Sequence, residues 1–141
     1  IGTQANNTLG GASVLKANPQ TGYVATSSAG QTYALSYIDS GSNALFLRNT
    51  QLPQCGYWYC PGSTQTASAS IVGTDGASHT VSFAIGNSRA LFASANNAFN
   101  NLAGIASNSF GWGLPFFFGR RVYTAIASRA TSAGPGPYYA F

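Results

Sequence analysis

Apolar residues in this chain recur at every second position, and that period constrains the fold more than any other feature. Tyr33, Leu35 and Tyr37 alternate through Tyr33–Ile38. Val81, Phe83 and Ile85 alternate after His79, and Val122–Ile126 is a further β-rich run. Side chains two apart share one face of a strand, so these segments read as half-buried strands bounded by Gly, Asn and Ser clusters. Ile71–Thr74 leads into Asp75-Gly76 and Thr80–Phe83 returns. Asp-Gly tolerates positive φ, so the pattern predicts a hairpin whose turn includes Ala77 and Ser78. Helical spacing is found around Ser94–Leu102, where Ala95, Ala98, Phe99 and Leu102 fall on one face. The stretches Gly2–Gly11 and Ser128–Pro137 are Gly- or Pro-rich and read as loops. The expectation is a mainly β, single-domain chain over residues 1–141 with one or two short helices.

The composition narrows the function. Hydrophobic residues make up 45 % and charged residues 6 % of the 141 positions, which is a core-forming composition and not that of a disordered tail. The net charge of +4 comes from Lys16, Arg48, Arg89, Arg120, Arg121 and Arg129, of which only the Arg120-Arg121 pair is adjacent. Nucleic-acid surfaces carry denser basic stripes, so no nucleic-acid partner is expected. No apolar run reaches the ~20 residues of a membrane span. The first residue is Ile1, which suggests a processed product or a fragment. Asn6-Asn7-Thr8 matches a glycosylation sequon.

Cys55 and Cys60 bracket the aromatic loop Cys-Gly-Tyr-Trp-Tyr-Cys. One pair supplies too few ligands for zinc and lacks the C-x-x-C redox spacing, which leaves a local disulfide in an exported protein (periplasmic, cell-surface or secreted). His79 is the only histidine, and no nucleophile-elbow motif accompanies it. Neither a metal nor a cofactor is expected.

The acids are more telling. Asp39 and Asp75 are the only carboxylate side chains. Asp75 sits in the hairpin turn. Asp39 sits in Asp39-Ser40-Gly41-Ser42 between two apolar runs, Tyr37-Ile38 and Ala44–Leu47. A carboxylate near a core needs hydrogen bonds or a partner, because desolvating it costs several kcal/mol. A plain turn whose side chains cap its own backbone also accounts for the tetrapeptide.

An apolar strand, Asp-Thr/Ser-Gly-Ser/Thr, and a second apolar strand resemble the active-site signature of aspartic peptidases. Downstream, Phe110–Ile126 looks like the end of a pepsin lobe, with Gly113, a short helix, Arg and then a strand carrying an aromatic residue. Gly136–Phe141 resembles the last strand. These matches cover residues 33 to 141. They are closest to the C-terminal half of a family of uncharacterised exported bacterial proteins with a pepsin-like plan, to which the Gly-Leu-Pro-Phe-Phe-Phe-Gly-Arg run and the Cys-containing loop are also similar. The sequence departs from pepsins at Leu114, where Asp commonly follows the Gly, at the pair Gly111-Trp112, and at Ser40, where Thr is commoner.

The resemblance implies a single pepsin-like (acid-protease) lobe in which Trp112 and Gly113 complete a ψ-loop around the Asp turn. It implies that Asp39 is the catalytic-type acid. Ser40 would bond across to an opposite turn, Gly41 would let N–H groups approach, and Ser42 would bond the carboxylate. The chemistry is peptide-bond hydrolysis through two carboxylates sharing a proton. The second Asp must come from an N-terminal lobe or a second copy, so the isolated chain is expected to be inactive. Leu45, Phe46 and Phe116 to Phe118 would flank the lobe-pairing face. The alternative is a non-catalytic module gripping peptide or glycan through Tyr57, Trp58, Tyr59 and Trp112.

Overall fold

The computed structural model describes residues 8–141, so Asn6 and Asn7 of the sequon and residues 2–7 of the first Gly-rich stretch lie outside it. Among the described residues the chain is mainly β, as its period predicts. The strands are β1 (Val14–Lys16), β2 (Val24–Ser28), β3 (Gln31–Ile38), β4 (Leu45–Leu47), β5 (Gln54–Cys55), β6 (Trp58–Tyr59), β7 (Gln65–Val72), β8 (Ser78–Ile85), β9 (Ala103–Ile105), β10 (Ser109–Trp112), β11 (Tyr123–Ala125) and β12 (Tyr138–Ala140). Two short helices, α1 (Ser88–Phe92) and α2 (Leu114–Phe117), complete it. Nine strands form one sheet in the order β5-β6-β9-β4-β10-β3-β2-β7-β8, and β1-β12-β11 form another.

The β7–β8 hairpin is longer than the sequence suggests, with eight pairs in unbroken register from Gln65↔Ile85 to Val72↔Ser78. Its turn is closed by the Gly73 N–H on the Ala77 carbonyl (2.8 Å), and Gly76 takes φ 84°. Ala77 lies in the turn, whereas Ser78 already belongs to β8. Val81 and Ile85 are buried and Phe83 is half-buried, as alternation requires.

β3 corrects the simple alternation. Tyr33 is buried, but Leu35 is 50 % exposed, and Ser36 and Ile38 are buried instead. The pairing explains it: Val24↔Ser36 and Thr26↔Tyr33 match two steps on β2 with three on β3, so β3 carries one extra residue. Such a bulge reverses which face later residues take. Tyr37 is thereby turned to the outer face.

The helix expected around Ser94–Leu102 is not formed, and helix α1 lies just before it. Asn87 supplies the start, its side-chain oxygen accepting the Arg89 and Ala90 N–H groups. Beyond Ala93 the Ser- and Asn-rich stretch bonds to its own backbone, with the Ser94 hydroxyl on the Leu91 carbonyl (2.7 Å) and the Asn96 N–H on the Ser94 hydroxyl (3.3 Å). These bonds compete with helix, and the predicted face is not buried as a unit: Leu102 is buried and Phe99 half-buried, but Ala95 and Ala98 are exposed.

Cys55 and Cys60 are joined in a disulfide that staples the β5–β6 hairpin, Cα atoms 5.8 Å apart. The Val122–Ile126 run yields β11, with Ile126 exposed beyond it, and 128–137 is loop save a bridge from Ala127 to Gly136. The main core holds Leu15, Leu45, Ile71, Ile85, Phe110, Trp112 and Phe116, and Ala125, Tyr138 and Ala140 form a smaller cluster. No helix among the described residues is long and apolar enough to cross a membrane.

Candidate functional site: the Asp39 turn

The site is set by one topological feature. β3 runs into the Asp39 turn and β4 leaves it, yet the two do not pair. β10 lies between them, parallel to β3 through Ser109↔Leu35 to Trp112↔Ile38 and antiparallel to β4 at Gly111↔Phe46. This is the ψ-loop arrangement. The turn is sewn to the end of β10: the Asp39 N–H donates to the Trp112 carbonyl (3.0 Å), and the Leu114 N–H donates to the Ser42 carbonyl (2.7 Å).

Gly113 sits where those two bonds converge. A Cβ there would collide with the Ala44 carbonyl oxygen and stand 2.7 Å from that of Ser42. Trp112 anchors the strand from below. It is fully buried, donates its indole N–H to the Thr26 hydroxyl (2.9 Å), and packs against Phe110, Phe83 and Phe116 with ring centroids 4.6, 5.6 and 5.4 Å away. α2 follows at once, with Pro in its first turn. The Arg120 guanidinium closes its end by donating to the Phe116 carbonyl (2.6 Å) while lying over the Phe116 ring.

Asp39 itself is exposed, and both its oxygens are held. Oδ1 accepts the Gly41 N–H (2.8 Å) and Oδ2 accepts the Ser42 hydroxyl (2.8 Å). Ser40 is exposed at the tip, and its hydroxyl has no partner among the described residues. The carboxylate is therefore oriented by its own turn and open to whatever faces it. Its charge is felt by Tyr139, a residue the sequence did not single out. Burial foremost, then the negative charge of Asp39, pushes the Tyr139 hydroxyl above the usual tyrosine range. That hydroxyl donates to the Gly22 carbonyl (3.3 Å).

The remaining candidates separate from the site. The Asp75 carboxylate serves its own turn, accepting the Ala77 N–H (3.2 Å). His79 is exposed on β8, with Nδ1 2.9 Å from the Ser13 hydroxyl oxygen and its ring edge-on to Phe141. Among the described residues no cluster of three His, Cys, Asp or Glu could hold a metal. Two of the four aromatic residues expected to grip a ligand belong to the core. Tyr59 and Trp112 are fully buried, because β6 and β10 turn them inward, and the Tyr59 hydroxyl is spent on the Leu47 carbonyl (2.9 Å) and the Asn49 N–H (2.7 Å). Tyr57 is 84 % exposed and Trp58 half-buried. Of the apolar residues placed beside the turn, Leu45 and Phe116 are buried, Phe46 and Phe117 half-buried and Phe118 exposed.

A family described as a protein of unknown function, DUF3443, matches residues 1–141, the whole length of the sequence. The chain belongs to the DUF3443 family. No curated protein and no solved structure matches it. For this DUF3443 chain the geometry of the Asp39 turn has to carry the functional reading by itself.

Proposed function

We propose that the chain is one lobe, the C-terminal half, of an exported two-lobed aspartic endopeptidase of pepsin-like plan. The observation that carries this reading is an exposed carboxylate with both oxygens held by Gly41 and Ser42, in a turn clamped by an inserted strand. Two carboxylates brought face to face cannot both ionise, so the pair keeps one proton. The ionised member then takes a proton from water as it attacks the peptide carbonyl, and the protonated member donates to the carbonyl oxygen. Asp39 is one member; the other comes from an N-terminal lobe or from a second copy. Ser40, free at the tip, is placed to bond across to the opposite turn.

The test is cleavage of an unfolded protein at acidic pH by the chain joined to its N-terminal partner lobe. Asp39→Asn, which keeps the shape and removes the titrating acid, is expected to lower kcat by at least 10³-fold, the order of loss seen when a member of a catalytic unit is removed. Undiminished cleavage by Asp39→Asn would remove Asp39 from the mechanism. A second reading, a non-catalytic peptide- or glycan-binding module on this scaffold, is favoured by the aromatic residues on the outer face of the sheet.

A further inference from the structure

The outer face of the large sheet carries a cross-strand row in which aromatic residues and glycines alternate. In register, Trp58 on β6 pairs with Gly104 on β9, Gly104 with Phe46 on β4, Phe46 with Gly111 on β10, and Gly111 with Tyr37 on β3. The rings lie across the glycines. A Cβ at Gly104 would come within 2.7 Å of Phe46 and 3.3 Å of Trp58, and one at Gly111 within 3.0 Å of Tyr37. Phe92 of α1 continues the row, its ring centroid 5.4 Å from that of Trp58, and is 50 % exposed. The three strand-borne rings are half-buried and so present part of their surface to solvent. Four strand spacings separate β6 from β3, about 19 Å.

Two facts identify an occupant. The row is continuous with the Asp39 turn, because Tyr37 stands two residues before Asp39, at the end of the strand that runs into that turn. And β3, β4, β6, β9 and β10 contain no charged side chain, so the strand-borne part of the row holds nothing to compensate a charged ligand. We propose that this row is a binding track for an uncharged, extended peptide, leading away from Asp39 and ending at Trp58 and Phe92. At about 3.3 Å per residue the track takes roughly six residues, with aromatic or aliphatic side chains resting on the rings. The direction in which the peptide runs rests on the peptidase reading; the track itself does not require cleavage.

The experiment uses the Asp39→Asn full chain, so that binding is read without turnover. The ligand is a terminally blocked decapeptide alternating Leu and Thr, followed by intrinsic fluorescence. Trp58 is half-buried on the track and Trp112 is sealed in the core, so Trp58 is the reporter. A saturable change is expected, with affinity at least roughly tenfold weaker in Phe92→Ala, a half-exposed position on α1 outside both sheets. Replacing Leu by Lys in the peptide is expected to abolish the change. The proposal is overturned by no saturable response, by equal affinity in Phe92→Ala, by response to a neutral β-linked hexasaccharide and not to the peptide, or by loss of the signal through self-association of the chain. Peptide binding without any cleavage by the two-lobed wild type would remove the peptidase reading and leave the track. Cleavage with no loss of affinity in Phe92→Ala would do the reverse.

Discussion

Asp39 and Tyr139 show how few residues set the electrostatics of the site. The Asp39 carboxylate accepts one backbone and one hydroxyl donor from its own turn, and its field reaches the half-buried Tyr139 phenol. A tyrosine whose folded-state pKa is raised stays protonated when the unfolded chain has already ionised. Its contribution to stability is thus whole below the ordinary tyrosine pKa of about 10 and is lost as pH rises through the folded-state value. Stability of the wild type is expected to fall above that pH, and Tyr139→Phe to fall less steeply over the same window. Urea midpoints measured from neutral to strongly alkaline pH check this; identical slopes for the two proteins would detach Tyr139 from the effect. Tyr59, raised mainly by burial, contributes in the same direction in both proteins and so cancels in the comparison.

At the scale of elements, β10 decides whether the turn exists. It is the strand that keeps β3 and β4 apart, and it enters α2 through Gly113 with no room for a side chain. The obstructing atoms are backbone carbonyl oxygens, which cannot swing aside as a side chain would. Gly113→Ala is expected to cost about 2–4 kcal/mol and to loosen the Asp39 turn before the rest of the sheet. A fall in urea midpoint together with faster hydrogen exchange at the Asp39 and Leu114 amides is the expected result, since those two bond across the junction. An unchanged midpoint would show that the junction is slack. The disulfide acts more locally, closing only the β5–β6 hairpin that presents Trp58 on one face and Tyr59 on the other.

For the whole molecule, the inventory of acids is decisive. Asp39 faces outward alone, and Asp75 is committed to the β7–β8 turn. A proton cannot be shared by a single carboxylate, so under the proposed function activity requires another lobe or another copy. The chain by itself, diluted until sedimentation shows a monomer, is expected to have no peptidase activity. Activity that appears only as concentration rises, and disappears in Asp39→Asn, would identify a second copy as the source of the other acid. Activity from the dilute monomer would defeat the two-carboxylate argument.

Local chemistry was legible in the sequence. Period two announced the strands, Asp-Gly the β7–β8 turn, the close cysteines their disulfide, and the flanked Asp-Ser-Gly-Ser a turn. Each rests on neighbours along the chain or on a motif of fixed spacing, so burial and backbone preference within a few residues determine the outcome. What the chain kept hidden depends on pairing between distant segments. The bulge that turns Leu35 outward arises only when β3 is laid against β2. The Ser94–Leu102 periodicity is not buried as one face: Leu102 enters the interior while Ala95 and Ala98 stay exposed. Trp112 and Tyr59, which look like ligand-gripping aromatics, are taken inside by the phase of their strands. And Tyr37, Phe46, Trp58, Gly104 and Gly111 become a single row only because five strands, drawn from both halves of the chain, align at one register. Register is a property of the assembled sheet: a shift by one residue would send every one of those side chains to the opposite face.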